Sequence, residues 1–297
     1  TQLASVKATT NMAEAIAGRE LIIIYIQTNY HEPLIRKLSA YLQDGQTVII
    51  EPGYLSTCYF KKHCDKALTI IEAESSPIDC RIISPGKTMV LYRNVRNPFG
   101  VYPLENRPHA ERIMAQLPFP YEFVHSVAEA AIHNPNLIVH TIGAVFSIPR
   151  IEHVAKHGGN YSMYREVFTP FVWNLVTALD REKMDVLEAI GCPRLSYVEA
   201  CKHRNSLDDS RDATEVFFDY ANNSSPDGPT VPDSRYITED VPQGLVLLES
   251  LGKVLGIPTP TCSGLIDCAS ALLNRPFREE GRTVEKLGFD NISEIIR

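Results

Sequence analysis

The sequence predicts a parallel α/β domain over residues 1–125 followed by an all-α helical domain over residues 126–297. Two patterns carry this expectation. The first part alternates short apolar, β-branched runs with helical spacing, in the order strand, helix, strand, helix, strand. After Ser126 only helical spacing recurs, and no strand is expected there. The 297 residues are 44% hydrophobic and 22% charged, an ordinary globular composition at a length that suits one large domain or two smaller ones.

Residues Asn11 to Ala17 read as a short helix with Thr10 or Asn11 as N-cap. Leu21 to Ile26 is a continuous apolar run, as expected for a parallel strand buried on both faces. Gln27 to His31 is a polar turn, and Pro33 to Leu42 has helical spacing until Asp44-Gly45 breaks it. Thr47 to Ile50 is the next strand, closed by Pro52-Gly53; Leu55 to Lys62 is helical and Leu68 to Glu72 is the third strand. Parallel strands in this order require right-handed crossovers.

Shorter strands are expected at Cys80–Ser84, Met89–Asn94 and Tyr121–His125, with a helix at His109–Leu117. Further helices are expected at Val127–Ile132, Ile138–Ile148, Asn160–Ala189, Val198–Cys201, Gln243–Leu255 and Thr261–Leu273, with a loop over Asn222–Asp233. The first half is therefore a Rossmann-type parallel sheet. Its residues 1–72 read as the later strands of such a domain, whose first βαβ unit is expected to be lacking.

The net charge of −7 and the lack of a basic run argue against nucleic acid as a partner. No apolar run reaches the roughly 18 residues of a membrane span, and no signal peptide is expected. The cysteines are Cys58, Cys64, Cys80, Cys192, Cys201, Cys262 and Cys268, an odd number without a C-x-x-C pair. Cys58, His63 and Cys64 have the wrong spacing for a zinc knuckle, so free thiols in a reducing cytosol and no metal are expected.

Ligands of open parallel sheets bind beyond the carboxyl ends of the strands. Those ends are Gln27-Thr28-Asn29 after the first strand and Glu51-Pro52-Gly53 after the second, turns whose backbone groups can face a dinucleotide, with Gln27, Thr28, Pro52 and Gly53 as the candidate cofactor-binding residues. They read equally as ordinary strand-to-helix loops. The dinucleotide fingerprint G-x-G-x-x-G does not occur among the sixteen glycines.

Proton chemistry has two candidates. His140 follows the polar turn His133–Asn136 on an apolar run, and the Glu239-Asp240 pair opens a later helix. A histidine and a remote carboxylate can move a proton while another group moves electrons. By residue habit, His140 also reads as a buried structural histidine and Asp240 as a helix N-cap. Asn136 shares a helix face with His140; it hydrogen-bonds substrate or a nicotinamide amide, or is a turn residue after Pro135. Arg235 clamps a substrate carboxylate or makes a surface ion pair. His133, His153 and His157 read as structural or exposed. The series Tyr161, Tyr164, Phe168, Phe171 and Trp173 reads as core or domain interface rather than a substrate cage.

Three segments carry a resemblance. They are LIIIYIQTNYHEPL with YLQDGQTVIIEPG, then NPNLIVHTIGAVFS, then RYITEDVPQGLVLLESLGKVLGIPTP with the closing GRTVEKLGF. Together they resemble the octopine/nopaline (opine) dehydrogenase family over nearly the whole chain, from the middle of the family's Rossmann domain to the end of its helical domain. The resemblance implies reductive condensation. An amino acid and a 2-oxo acid form an imine, and NAD or NADP in reduced form delivers hydride to the imine carbon. It also implies a histidine–aspartate pair between the domains, matched here by His140 and Asp240. Thr141 stands where many relatives carry proline, which assigns it to the substrate pocket. The family's glycine-rich phosphate loop has no match in this sequence.

Two rival readings remain at this point. One is a simple 2-oxo or 2-hydroxy acid dehydrogenase of the same two-domain build. The other is a non-catalytic binding protein that lost the cofactor loop. The expected partners are small molecules, an amino acid and a 2-oxo acid, with no nucleic acid and no membrane. A homodimer is compatible with the large helical domain.

Overall fold

The computed structural model describes residues 4–288, so Phe289 of the GRTVEKLGF segment lies outside the described residues. The first helix, α1 (Met12–Ile16), is capped by Asn11, whose side chain accepts from the Glu14 amide. Strands β1 (Leu21–Ile24), β2 (Thr47–Ile50) and β3 (Thr69–Ala73) run parallel and in register, Leu21 opposite Thr47 and Thr47 opposite Thr69. The crossovers are α2 (His31–Leu38) and α3 (Thr57–His63).

β2 and β3 are buried along their whole length, as their continuous apolar sequence requires. β1 departs from the expected burial on both faces. Among the described residues it pairs only with β2 and forms an edge, leaving Ile23 47% exposed.

β4 (Ile78–Ser84) and β5 (Lys87–Arg93) are an antiparallel hairpin separate from the main sheet. The main sheet continues with β6 (Pro98–Tyr102), antiparallel to β3. Helix α4 (Arg107–Met114) leads to β7 (Glu122–Phe123), parallel to β6, for an order β1-β2-β3-β6-β7. β6 escapes sequence reading because Pro98 and Gly100 dilute its pattern. Gly100 is needed there, since a Cβ would lie 2.5 Å from the Ser126–Val127 backbone.

From Ser126 onward the described residues contain helices and no strand. They are α5 (Val127–Ile132), α6 (Asn136–His157), α7 (Met163–Glu166), α8 (Pro170–Ala189), α9 (Tyr197–Asn205), α10 (Ala213–Asn223) and α11 (Arg235–Thr238). A π-helical stretch, Val241–Leu245, then runs into α12 (Val246–Leu255), α13 (Pro260–Leu273), α14 (Phe277–Glu280) and α15 (Val284–Leu287).

α6 passes through Pro149 and ends at Gly158, because an internal proline removes only one ladder bond. The expected long helix from Asn160 is two helices. Thr169 caps the second, accepting from the Val172 amide, and Pro170 takes its first position.

The apolar core is shared by the two halves of the chain. Ile24, Val48 and Ile50 of the sheet belong to one buried cluster with Leu137 and Ile138 of α6, Leu179 of α8 and Leu248 of α12. Alternation along the strands sends Ile49, Ile71, Phe99 and Val101 to the opposite face, where Ala110 and Met114 of α4 cover them. α6 is buried on every side from Leu137 to Val145, so its first turns lie deep where the sheet and the helices meet.

Candidate active site

The carboxyl ends of β1 and β2, the first turns of α6 and the segment around α11 enclose a cavity of about 610 Å³. Asn136 and His140, one helical turn apart on α6, both line it. His140 Nδ1 lies 2.8 Å from Asp240 Oδ2, and both side chains are buried. Asp240 makes no capping bond. Its second oxygen, Oδ1, accepts from the Tyr54 hydroxyl at 3.1 Å. With Nδ1 committed to Asp240, Nε2 is the ring nitrogen left for a ligand. The Tyr236 ring stacks on the imidazole, with centroids 3.7 Å apart and planes 8° from parallel.

Backbone strain sets Tyr54 in place. Tyr54 and Leu55 both hold the left-handed conformation, at φ 49° and 63°, which costs a non-glycine residue of order 1 kcal/mol or more. The Leu55 and Thr57 amides donate to the buried carboxylate of Glu72 at 2.9 and 2.5 Å, fixing the turn from below. Gly53 is obligatory here, because a Cβ would come within 1.9 Å of Glu72 Oε2. Burial and the adjacent Asp240 push the Tyr54 phenol well above its ordinary pKa, so it stays a donor.

Arg282 ties this loop to the helices. Its guanidinium is 1% exposed and donates to the carbonyls of Thr28 and Gly53 at 3.1 and 3.0 Å, and to that of Tyr54. It also donates to Gln243 Oε1 at 3.0 Å and lies over the Tyr59 ring. A planar fork with five donors can bind so many acceptors at once. Glu239 completes the junction, its Oε1 accepting from the amide and hydroxyl of Thr28 at 2.8 and 2.9 Å. Burial and the neighbouring Asp240 raise its carboxyl.

Of the residues singled out from sequence, Gln27, Pro52, Asn136, His140, Arg235 and Asp240 line the cavity. Arg235 is exposed at its rim and makes no ion pair among the described residues. Three others face elsewhere. Thr28 is engaged by Glu239, and Gly53 offers its carbonyl to Arg282. The Thr141 hydroxyl donates to the Leu137 carbonyl at 2.6 Å on the buried side of α6.

Sequence reading missed Tyr54, Arg81, Tyr236 and Arg282, and placed Glu51 at a strand end without a role for its side chain. The signal for Tyr236 was available, since it precedes Asp240 by one helical turn in the same segment. Glu51 follows β2 directly and precedes Pro52. Arg81, on β4, reaches into the cavity and donates to the Tyr236 hydroxyl at 3.4 Å.

Of the aromatic series, Tyr164 touches the cavity, Phe168 and Trp173 pack on Phe217, and Phe171 is exposed. His133 is buried, and burial beside Lys183 and Arg204 drops its pKa well below the ordinary value. All seven cysteines are free, and the described residues contain no cluster of three metal-ligating side chains.

The model of the family described as "NAD/NADP octopine/nopaline dehydrogenase, alpha-helical domain" matches residues 123–273. The opine dehydrogenase of Arthrobacter sp. (strain 1C) is 27% identical over 294 residues, covering 96% of this chain and 79% of that protein. The protein ocs of Agrobacterium tumefaciens (strain Ach5) is 24% identical, covering 97% of this chain and 80% of its own. An octopine dehydrogenase solved with NADH and agmatine superposes with a TM-score of 0.74 at 17% identity over 97% of this chain and 80% of that one, which establishes the fold. The chain thus belongs to the NAD/NADP-dependent octopine/nopaline dehydrogenase family.

Proposed function

We propose that the protein is an NAD(P)H-dependent opine dehydrogenase, an oxidoreductase that joins an amino acid to a 2-oxo acid by forming and reducing a C–N bond. The observation that carries this reading is the buried His140–Asp240 pair, set in a cavity at the carboxyl ends of parallel strands. Asp240 fixes the tautomer of His140 and stabilises the imidazolium as it forms. The stacked Tyr236 face adds cation–π stabilisation of that charge. Through Nε2, His140 gives a proton to the oxygen of the oxo acid as the amine adds to C2, and takes one from the nitrogen.

Arg235, with Arg81 across the Tyr236 hydroxyl, suits the substrate carboxylates, and Asn136 suits a substrate or nicotinamide amide group. Gln27 and Pro52 fit the nicotinamide end of the cofactor, while Thr28, Gly53 and Thr141 stand behind the lining, held by Glu239, Arg282 and the Leu137 carbonyl. No residue of this chain forms a G-x-G-x-x-G turn, so none is assigned to the pyrophosphate. The open parallel edge of β1 is where a further βαβ unit would add to the sheet. Bound NAD(P)H would supply hydride to the imine carbon. The division into a nucleotide-side domain, 1–125, and a helical domain, 126–297, follows the same logic, and the free thiols suit a reducing cytoplasm.

The test is NADH and NADPH oxidation by the intact gene product with pyruvate and a panel of amino acids, each component also omitted in turn. Oxidation that requires both the oxo acid and the amine is expected. Oxidation with the oxo acid alone would replace this reading with that of a keto-acid reductase.

A further inference from the structure

Eight carboxylates are buried among the described residues. Backbone amides, an arginine, a lysine or His140 engage seven of them. Glu51 is the exception. It is 6% exposed, accepts no side-chain hydrogen bond and makes no ion pair among the described residues, and it lines the same cavity as His140. Burying a carboxylate without a partner is costly, so an unpartnered one facing a cavity points to a ligand that brings the missing donor.

We propose that Glu51 receives the ammonium group of the amino-acid substrate and takes its proton, making the amine nucleophilic. This rests on the opine-forming reading above. An amino acid arrives as an ammonium ion, whose nitrogen has no free pair and cannot attack a carbonyl. The proton passes from nitrogen to the Glu51 carboxylate, leaving a neutral amine and a carboxylic acid. The amine lone pair then bonds to C2 of the oxo acid, the C=O π pair moves to oxygen, and His140 relays a second proton from nitrogen to that oxygen. When the hydroxyl leaves as water it takes the proton held by Glu51, which returns to the carboxylate. The iminium carbon accepts the hydride. Glu51 and His140 thus finish as they began.

The surroundings suit this division of labour. The other charged and titratable groups lining the cavity are Tyr25 beyond β1, Asp79, Cys80 and Arg81 of β4, His140 of α6, Tyr164, Tyr197, Cys201, Arg204, Tyr220, Arg235, Tyr236 and the Glu239–Asp240 pair, with Arg204 already paired to Glu74. Asp79 is held by the Tyr220 hydroxyl at 2.9 Å, and Glu239 and Asp240 by Thr28 and His140. Glu51 is the carboxylate left for a cation. Burial alone raises its carboxyl to about 7, which makes it a stronger base than an ordinary carboxylate and leaves it part-ionised at neutral pH.

The experiment compares wild type, Glu51→Gln and Glu51→Asp in the intact gene product, measuring kcat/KM for amine and oxo acid from pH 5.5 to 9 and NAD(P)H affinity by fluorescence titration. Wild type should lose amine kcat/KM on the acid side of about pH 7. Glu51→Gln should lose about tenfold or more in amine kcat/KM at pH 7.5 and lose that acid limb, with the KM for oxo acid and the NAD(P)H Kd within about twofold. Glu51→Asp, which keeps a carboxylate, should retain the limb and recover part of the rate. Unchanged amine kinetics in Glu51→Gln, or a weakened NAD(P)H Kd with amine kinetics intact, overturns the assignment. No amine-dependent turnover in wild type would instead overturn the opine-forming reading beneath it.

Discussion

His140 Nδ1 and Asp240 Oδ2 lie 2.8 Å apart although 100 residues separate them in the chain. The pair forms because α6 is driven into the core by its apolar sequence, while the α11 segment is pinned to the β1 loop through Glu239 and Thr28. Asp240 has both oxygens engaged, so the imidazole has one orientation.

Replacing Asp240 with Asn keeps the volume but removes the charge that favours an Nδ1–H imidazole and stabilises imidazolium. The expected loss in kcat is about 10²- to 10⁴-fold, with little change in substrate KM. Steady-state kinetics check this. His140→Ala should lose at least as much, and the double variant no more than the worse single one, because the two act as a unit.

Arg282→Met retains most of the side-chain volume and removes every donor. The carbonyls of Thr28, Gly53 and Tyr54 would then be buried without partners. A stability loss of about 3–5 kcal/mol is expected in urea unfolding. Arg282→Lys should recover little, since a lysine cannot present the same planar fork. Turnover should also fall in whatever fraction stays folded, because Tyr54 positions Asp240.

His31 gives acid sensitivity a specific source. It is fully buried, with Nδ1 2.6 Å from Ser56 Oγ and Nε2 3.2 Å from the Ile26 carbonyl. Burial, reinforced by Arg282, lowers its pKa to about 3. Between the ordinary histidine value and about 3, the unfolded chain binds a proton that the folded chain refuses, so stability falls as pH drops through that window. The loss from this group amounts to about 5 kcal/mol over the whole window, about 3 kcal/mol of it by pH 4. Chemical denaturation from pH 7 to 4 should therefore show a steep loss in wild type and a shallower one in His31→Gln. Equal slopes would remove His31 as the cause.

The parts of the site legible in the sequence are those whose chemistry is local. His140 and Asp240 are proton-moving residue types inside distinctive segments, and the strand ends at Gln27 and Pro52 follow from apolar runs that stop abruptly. Tyr54 was hidden because its reach toward Asp240 depends on two left-handed residues that neither side chain favours. Arg282 was hidden because the Thr28 carbonyl it binds lies 254 residues earlier. Thr28 and Thr141 show the opposite failure. Their positions suggested the pocket, but a threonine hydroxyl takes the nearest buried acceptor, Glu239 for one and the Leu137 carbonyl for the other. The fold itself read well where β2 and β3 are buried on both faces. It read less well at β1, which forms an edge, and at β6, where proline and glycine dilute the pattern.

The most direct measurement follows the nitrogen. The intact gene product is supplied with reduced cofactor, pyruvate and a ¹⁵N-labelled amino acid that supports oxidation, and the products are identified by mass spectrometry. A secondary-amine dicarboxylate that carries the label is expected, formed one for one with oxidised cofactor and lost in His140→Ala. Formation of a 2-hydroxy acid without nitrogen, at the same rate with the amine omitted, would contradict it.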